Sequence, residues 1–144
     1  MDKKDLQELL AKVAERRVPP GTVFEREVDF GEGVGKVPLK FRRLSYLETQ
    51  EIRDRANIDD PNDPKQVAEA ARIRKRGPII QIAAMLCDDN GALITTEAEV
   101  EKWEPVIIDR TFIQCMNVNA ATAEAREEVA KKSETTPDVA SSSN

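Results

Sequence analysis

The stretch TVFEREVDFGEGVGKVPLKFRRLSYLETQEI, residues 22–52, changes its period part-way along. Phe24, Arg26, Val28 and Phe30 fall on every second position. So do Val37, Leu39 and Phe41, with Lys36, Lys40 and Arg42 on the opposite set. Alternation of this kind marks strands with one buried face. Between the two runs stands Gly31-Glu32-Gly33-Val34-Gly35, which supplies positive φ wherever a turn requires it, so residues 22–43 read as a β-hairpin. From Ser45 the period becomes helical. Ser45-Tyr46-Leu47-Glu48 has the form of a capping box, in which hydroxyl and carboxylate each satisfy an orphan backbone N–H. A lone hairpin is marginal in water, so its apolar face must lie on helices. The expected class is α+β: a mainly helical small domain with one N-terminal β-hairpin packed on helices.

Nearer the amino end, Leu6, Leu9, Leu10 and Val13 recur at i, i+3, i+4 and i+7, one apolar stripe on an otherwise charged helix. Val18-Pro19-Pro20-Gly21 ends it, because successive prolines lack the N–H and push the preceding residue out of helical geometry. On the other side, the capped helix is expected to run to about Asn57 and a loop to occupy residues 58–64. A polar helix follows over residues 65–76, broken or restarted by Gly77-Pro78. Ile79, Ile82, Ala83 and Leu86 form the most apolar stripe and are placed at the centre of the core. After a turn at Cys87-Asp88-Asp89-Asn90-Gly91, Thr96-Glu97-Ala98-Glu99 reads as a second capping box for a short helix ending near Trp103. Pro105 suits the first turn of another helix, with Ile108, Phe112, Cys115 and Met116 at helical spacing. Residues 121–132 are weakly helical, and SETTPDVASSSN is a polar tail with little surface to bury. The organisation is thus 1–20, amphipathic helix and hinge; 21–120, hairpin plus helical core; 121–144, weak helix and flexible tail.

The chain's 144 residues suffice for one domain and fall short of a comfortable two. With 22 Lys+Arg against 27 Asp+Glu, the net charge of −5 argues against a dedicated nucleic-acid binder or a basic membrane-surface helix. There is no histidine, which removes the commonest general acid–base and the usual zinc ligand. The two cysteines cannot build a zinc site or a disulfide framework. No catalytic residue, cofactor site or metal site is nominated, and the chain is expected not to be an enzyme. MDKKDLQELLAKV alternates charge with leucine and lacks the apolar run of a signal peptide. The run at residues 79–86 is too short to span a bilayer. A cytoplasmic protein is the simplest expectation.

Several motifs dissolve on inspection. GEGVG is not a dinucleotide fingerprint, since Lys36 stands where the third glycine belongs and no helix follows. Asp88-Asp89-Asn90-Gly91 has the look of a calcium loop, yet Leu93 occupies its glycine position and Ala92 an oxygen-ligand position. Cys87 and Cys115 sit on apolar stripes and read as buried small hydrophobes. Two features stay open as partner-binding candidates. Arg72, Arg74, Lys75 and Arg76 form the sharpest basic cluster, either a solvated helix face favoured by the dipole or a contact for a phosphate or an acidic partner. Leu6, Leu9, Leu10 and Val13 either dock on the chain's own core or offer themselves to a partner's groove or a second copy of the chain.

The order of elements is also informative. Leu39-Lys40-Phe41-Arg42-Arg43-Leu44 runs into Ser45-Tyr46-Leu47-Glu48-Thr49-Gln50-Glu51-Ile52. Ala84-Met85-Leu86-Cys87-Asp88 leads through Asp89-Asn90-Gly91 to Thr96-Glu97-Ala98-Glu99-Val100. Ala125-Arg126-Glu127-Glu128-Val129-Ala130-Lys131-Lys132-Ser133 follows the last apolar helix. Over about residues 22–133 this resembles the tail assembly chaperones of long-tailed bacteriophages. The resemblance implies a non-enzymatic protein that binds the tape measure protein, keeps it soluble, helps tail-tube subunits assemble around it, and leaves before the virion is complete. Many such families make a longer form by ribosomal frameshifting, for which Lys131-Lys132 is the place to look. The alternatives are a structural head–tail connector or tail protein retained in the virion, and a small regulator using residues 72–76 on nucleic acid.

Overall fold

Strands β1 (Val23–Asp29) and β2 (Lys36–Arg42) pair antiparallel, with Phe24 opposite Phe41, Arg26 opposite Leu39 and Val28 opposite Val37. Directly opposed residues share a face, so the two alternations meet on one side of the hairpin, where Phe24, Val28 and Phe41 are buried. Arg26 is accommodated on that face by lying over the Phe24 ring, 5.2 Å from its centroid. In the turn, Gly31, Gly33 and Gly35 all take positive φ. The Gly35 N–H donates to the Gly31 carbonyl at 2.8 Å and the Phe30 N–H to the Gly35 carbonyl at 3.0 Å.

The computed structural model describes residues 1–15 and 17–121. The expected tail, and the expected weak helix apart from Ala121, lie outside them. Pro19–Asn119 is one compact unit, and Met1–Val18 belongs to a second. In the latter, helix α1 (Lys3–Glu15) starts where the Asp2 carboxylate accepts the Asp5 N–H at 2.8 Å.

The larger unit continues with α2 (Tyr46–Asp54), α3 (Pro64–Lys75), α4 (Gly77–Met85), a two-residue strand β3 (Leu86–Cys87), α5 (Glu97–Val100) and α6 (Pro105–Asn119). β3 adds to the hairpin beside β2, with Leu86 opposite Phe41 and Cys87 opposite Lys40, making a three-stranded sheet ordered β1-β2-β3. The fold class is the expected α+β. The Ser45 box is present in full: Ser45 Oγ accepts the Glu48 N–H at 3.1 Å and Glu48 Oε1 accepts the Ser45 N–H at 3.0 Å. At Thr96 only half of it forms. The Thr96 hydroxyl accepts the Glu99 N–H at 3.3 Å, while the Glu99 carboxylate turns instead to the Thr95 hydroxyl.

Three expectations are corrected. Helix α2 stops at Asp54 rather than near Asn57, because the N–H groups of Ala56 and Asn57 bond back three residues, to Arg53 and Asp54. Of the expected core stripe, Ile82, Ala83 and Leu86 are buried, Leu86 from the sheet rather than the helix, whereas Ile79 is only half-buried and Ile80 and Met85 take its place. The sequence GPIIQIAAM is apolar nearly all round, so its period cannot select a face. In α6 the core face is Ile107, Thr111, Cys115 and Val118, while Ile108 and Phe112 are half-buried and Met116 is exposed. Thr111 permits this rotation because its hydroxyl donates to the Ile107 carbonyl at 2.7 Å and goes into the core already satisfied.

The core lies where α4 and α6 pack together and α6 crosses β1, with α5 against α4. Phe41, Ile82, Met85, Val100, Cys115 and Val118 are wholly enclosed, each worth about 1.5–3 kcal/mol of transfer free energy for the larger aliphatic and aromatic side chains. Among the described residues, no buried side-chain nitrogen or oxygen lacks a hydrogen-bond partner.

Candidate functional site

Two surfaces offer themselves to a partner, one in each unit. The first is the α1 stripe. No residue of this helix is buried, and Leu6, Leu9, Leu10 and Val13 remain 45%, 46%, 55% and 59% exposed. Four large aliphatics on one face at this exposure form a continuous apolar strip rather than scattered surface residues.

The second begins with the break at Gly77-Pro78. Pro78 has no N–H to donate to the Arg74 carbonyl and its ring crowds that carbonyl, which disfavours a single helix through residues 64–85. The chain instead ends α3 at Lys75 and starts α4 at Gly77. Beside this break lies a cleft of about 530 Å³ bordered by Ile52 and Arg53 of α2, Arg74, Gly77, Pro78, and Phe112 and Met116 of α6. A second hollow of about 300 Å³ shares Ile52, Arg53, Arg74 and Gly77 and extends to Ala56 and Ile73. A Cβ added at Gly77 would meet nothing within 4 Å, and the backbone there is not at positive φ.

The basic cluster of residues 72–76 divides. Arg72 is held by Glu69 through two hydrogen bonds, at 2.7 and 3.0 Å, and Arg76 by Glu101 at 2.7 Å. Arg74 and Lys75 have no ion-pair partner among the described residues, so the four basic side chains do not form one strip. On α2 the same contrast holds: Arg55 meets Glu97 at 2.9 Å, whereas Arg53, on the cleft wall, has no ion-pair partner among the described residues.

The other candidate motifs are structural. The Asp88 carboxylate accepts the N–H groups of Asn90 and Ala92 at 2.8 and 3.0 Å, and Gly91 takes φ 82 to close the turn. Lys40 is bonded to Asp89 beside it, which raises the lysine pKa. Both cysteines are buried and free. Burial pushes the Cys87 thiol up and drives that of Cys115 to about 12, which disfavours the thiolate at both. Among the described residues no three His, Cys, Asp or Glu side chains gather as a metal site, and no helix is long and apolar enough to cross a membrane.

Comparison with protein families, with curated proteins and with solved structures finds no match for this chain.

Arg53 and Gly77 were not singled out by sequence. The signal for Gly77 was present in the Gly-Pro break. Arg53 acquires its position only once α2, α3 and α6 are assembled.

Proposed function

We propose that this chain is a non-enzymatic assembly chaperone of a long-tailed bacteriophage: it binds the tape measure protein, keeps it soluble in the host cytoplasm, promotes assembly of the tail tube and is absent from the mature virion. The observation that supports the reading best is α1, a helix with no buried residue whose four aliphatic side chains stay about half exposed on one face. This is the form in which helix-in-groove and helix-pairing partners are presented. Covering the exposed half of four such side chains yields about 3–6 kcal/mol of gross apolar transfer energy. Much of that is consumed by the lost freedom of association. Binding of this size is reversible, as it must be for a chaperone that leaves. The acidic balance, net −5, favours solubility of the loaded complex.

The test is co-expression with the longest helix-rich protein encoded nearby, followed by size and mass analysis of the soluble fraction. The long protein is expected to be soluble only with this chain and to co-elute with several copies of it. Leu6→Asp with Leu10→Asp is expected to abolish the rescue while leaving the melting of the core unit unchanged. Finding the chain as a stoichiometric component of purified particles would overturn the chaperone reading in favour of a retained connector or tail protein.

A further inference from the structure

The cleft between α2, the α3–α4 break and α6 combines an apolar lining with basic side chains. Ile52, Pro78, Phe112 and Met116 supply apolar lining, and Met116 stands 52% exposed with nothing over it among the described residues. Two arginines line it, Arg53 on α2 and Arg74 on α3. Three neighbouring arginines, 55, 72 and 76, are each neutralised by a glutamate at 2.7–2.9 Å. In a chain with more acidic than basic residues, the two at the cleft are left without an ion-pair partner among the described residues.

From this charge pattern we infer that the cleft receives the apolar face of an amphipathic helix from a client protein, with carboxylates flanking that face set against Arg53 and Arg74. This rests on the reading of the chain as a binder of helical clients and gives that reading a second surface and a client chemistry. Hollows of about 530 and 300 Å³ hold the side chains of one helix face, and not a whole helix of roughly 10 Å diameter. The occupant therefore lies across the cleft with its stripe inserted. The arginines act at the rim, where opposite charge sets orientation and rejects the wrong partner more than it adds affinity. A polynucleotide fits less well, because two cations over an apolar floor neutralise few phosphates.

The probe is a fluorescent amphipathic peptide of about 20 residues, roughly 30 Å as a helix. It carries leucine at i, i+3, i+4 and i+7 with glutamate on both flanks, and a matched peptide carries lysine instead. By fluorescence anisotropy on the full chain, the glutamate peptide is expected to bind at least tenfold more tightly, and less tightly as salt rises. Arg53→Glu with Arg74→Glu reverses the preference. Gly77→Leu projects a side chain into open cleft and is expected to abolish binding of both peptides with no loss of thermal stability, which separates occlusion from misfolding. Equal affinity for the two peptides, or wild-type binding by the Gly77→Leu chain, would overturn the inference. So would tighter binding of a labelled single-stranded oligonucleotide that Arg53→Glu removes. Co-expression distinguishes the two levels. If the double-glutamate chain still keeps the tape measure protein soluble, the cleft assignment falls and the chaperone reading stands. If the peptide pattern holds but the tape measure protein stays insoluble, the cleft assignment stands and the phage reading falls.

Discussion

Arg42 joins three elements through one side chain, and its removal is a sharp test of how the larger unit is held. Its Nη2 donates to Glu48 Oε2 at 2.6 Å and its Nε donates to the Ala84 carbonyl at 3.0 Å. Arg42→Met keeps the aliphatic stem and deletes both bonds. The bond to a helix-terminal carbonyl is worth about 1 kcal/mol. The ion pair is partly open, 20% and 35% exposed on its two sides, so solvent screening holds it to about 1 kcal/mol as well. The sum of about 2 kcal/mol corresponds to a fall in Tm of about 8 °C for a unit of this size. The loss should also depend on pH. Burial, the largest influence on Glu48, raises its pKa, but the bonds from Arg42 and from the Ser45 N–H outweigh it and leave the carboxyl lowered from 4.5. A lowered folded pKa stabilises above the unfolded value and is lost as pH falls through the folded one. Without Arg42 the burial contribution gains ground. The gap between parent and variant is therefore widest near neutrality and narrows below the ordinary carboxylate range. Thermal melts by circular dichroism from pH 7 down to about 3 measure this directly. A variant melting within about 2 °C of the parent, or a gap unchanged across that pH range, would refute the reasoning.

Other outcomes follow from single positions. Phe41→Ala empties a site with no exposure at the meeting of β2 and β3 and should cost about 3–5 kcal/mol by denaturant titration. Ser45→Ala removes the hydroxyl half of the α2 capping box and should cost about 1 kcal/mol in the same assay. At pH 8 a thiol reagent should leave both cysteines unmodified in the native protein and react with both in denaturant, since both are buried and Cys115 is pushed up to about 12. Gly77→Ala adds a methyl group that meets nothing within 4 Å and should stabilise by about 0.4–1 kcal/mol through the unfolded chain, read as a raised midpoint.

What could be read from sequence was what is decided locally. The hairpin, its glycine turn, the Ser45 box and the start of α6 at Pro105 each depend on a few neighbouring residues and appear where they were expected. The buried faces of α4 and α6 followed from their patterns only in part: Ile82, Ala83 and Cys115 are buried, but Ile80, Met85, Ile107, Thr111 and Val118 were not singled out. One helix is apolar almost throughout, and the other hides a threonine whose hydroxyl is satisfied by its own backbone. The third strand was invisible because Leu86 and Cys87 pair with residues more than forty positions away. The α1 stripe was legible as a pattern. Its exposure was not, because amphipathicity says that a face wants cover and not what supplies it. Of the cleft only the Gly77-Pro78 break was legible, since the rest belongs to the spacing of four helices and not to any of them.

The strand β3 also carries a consequence for the integrity of the chain. The sheet is built from both sides of the loop at residues 55–63: β1 and β2 come before it, β3 after it, and α6, which packs on β1, comes from the later half. A chain cut in that loop yields one fragment bearing a bare apolar sheet face and another bearing the strand that extends the sheet and the helix that packs on it. Neither half can bury its surface alone, so the two are expected to recover the helical signal of the whole chain only when mixed, as circular dichroism would show.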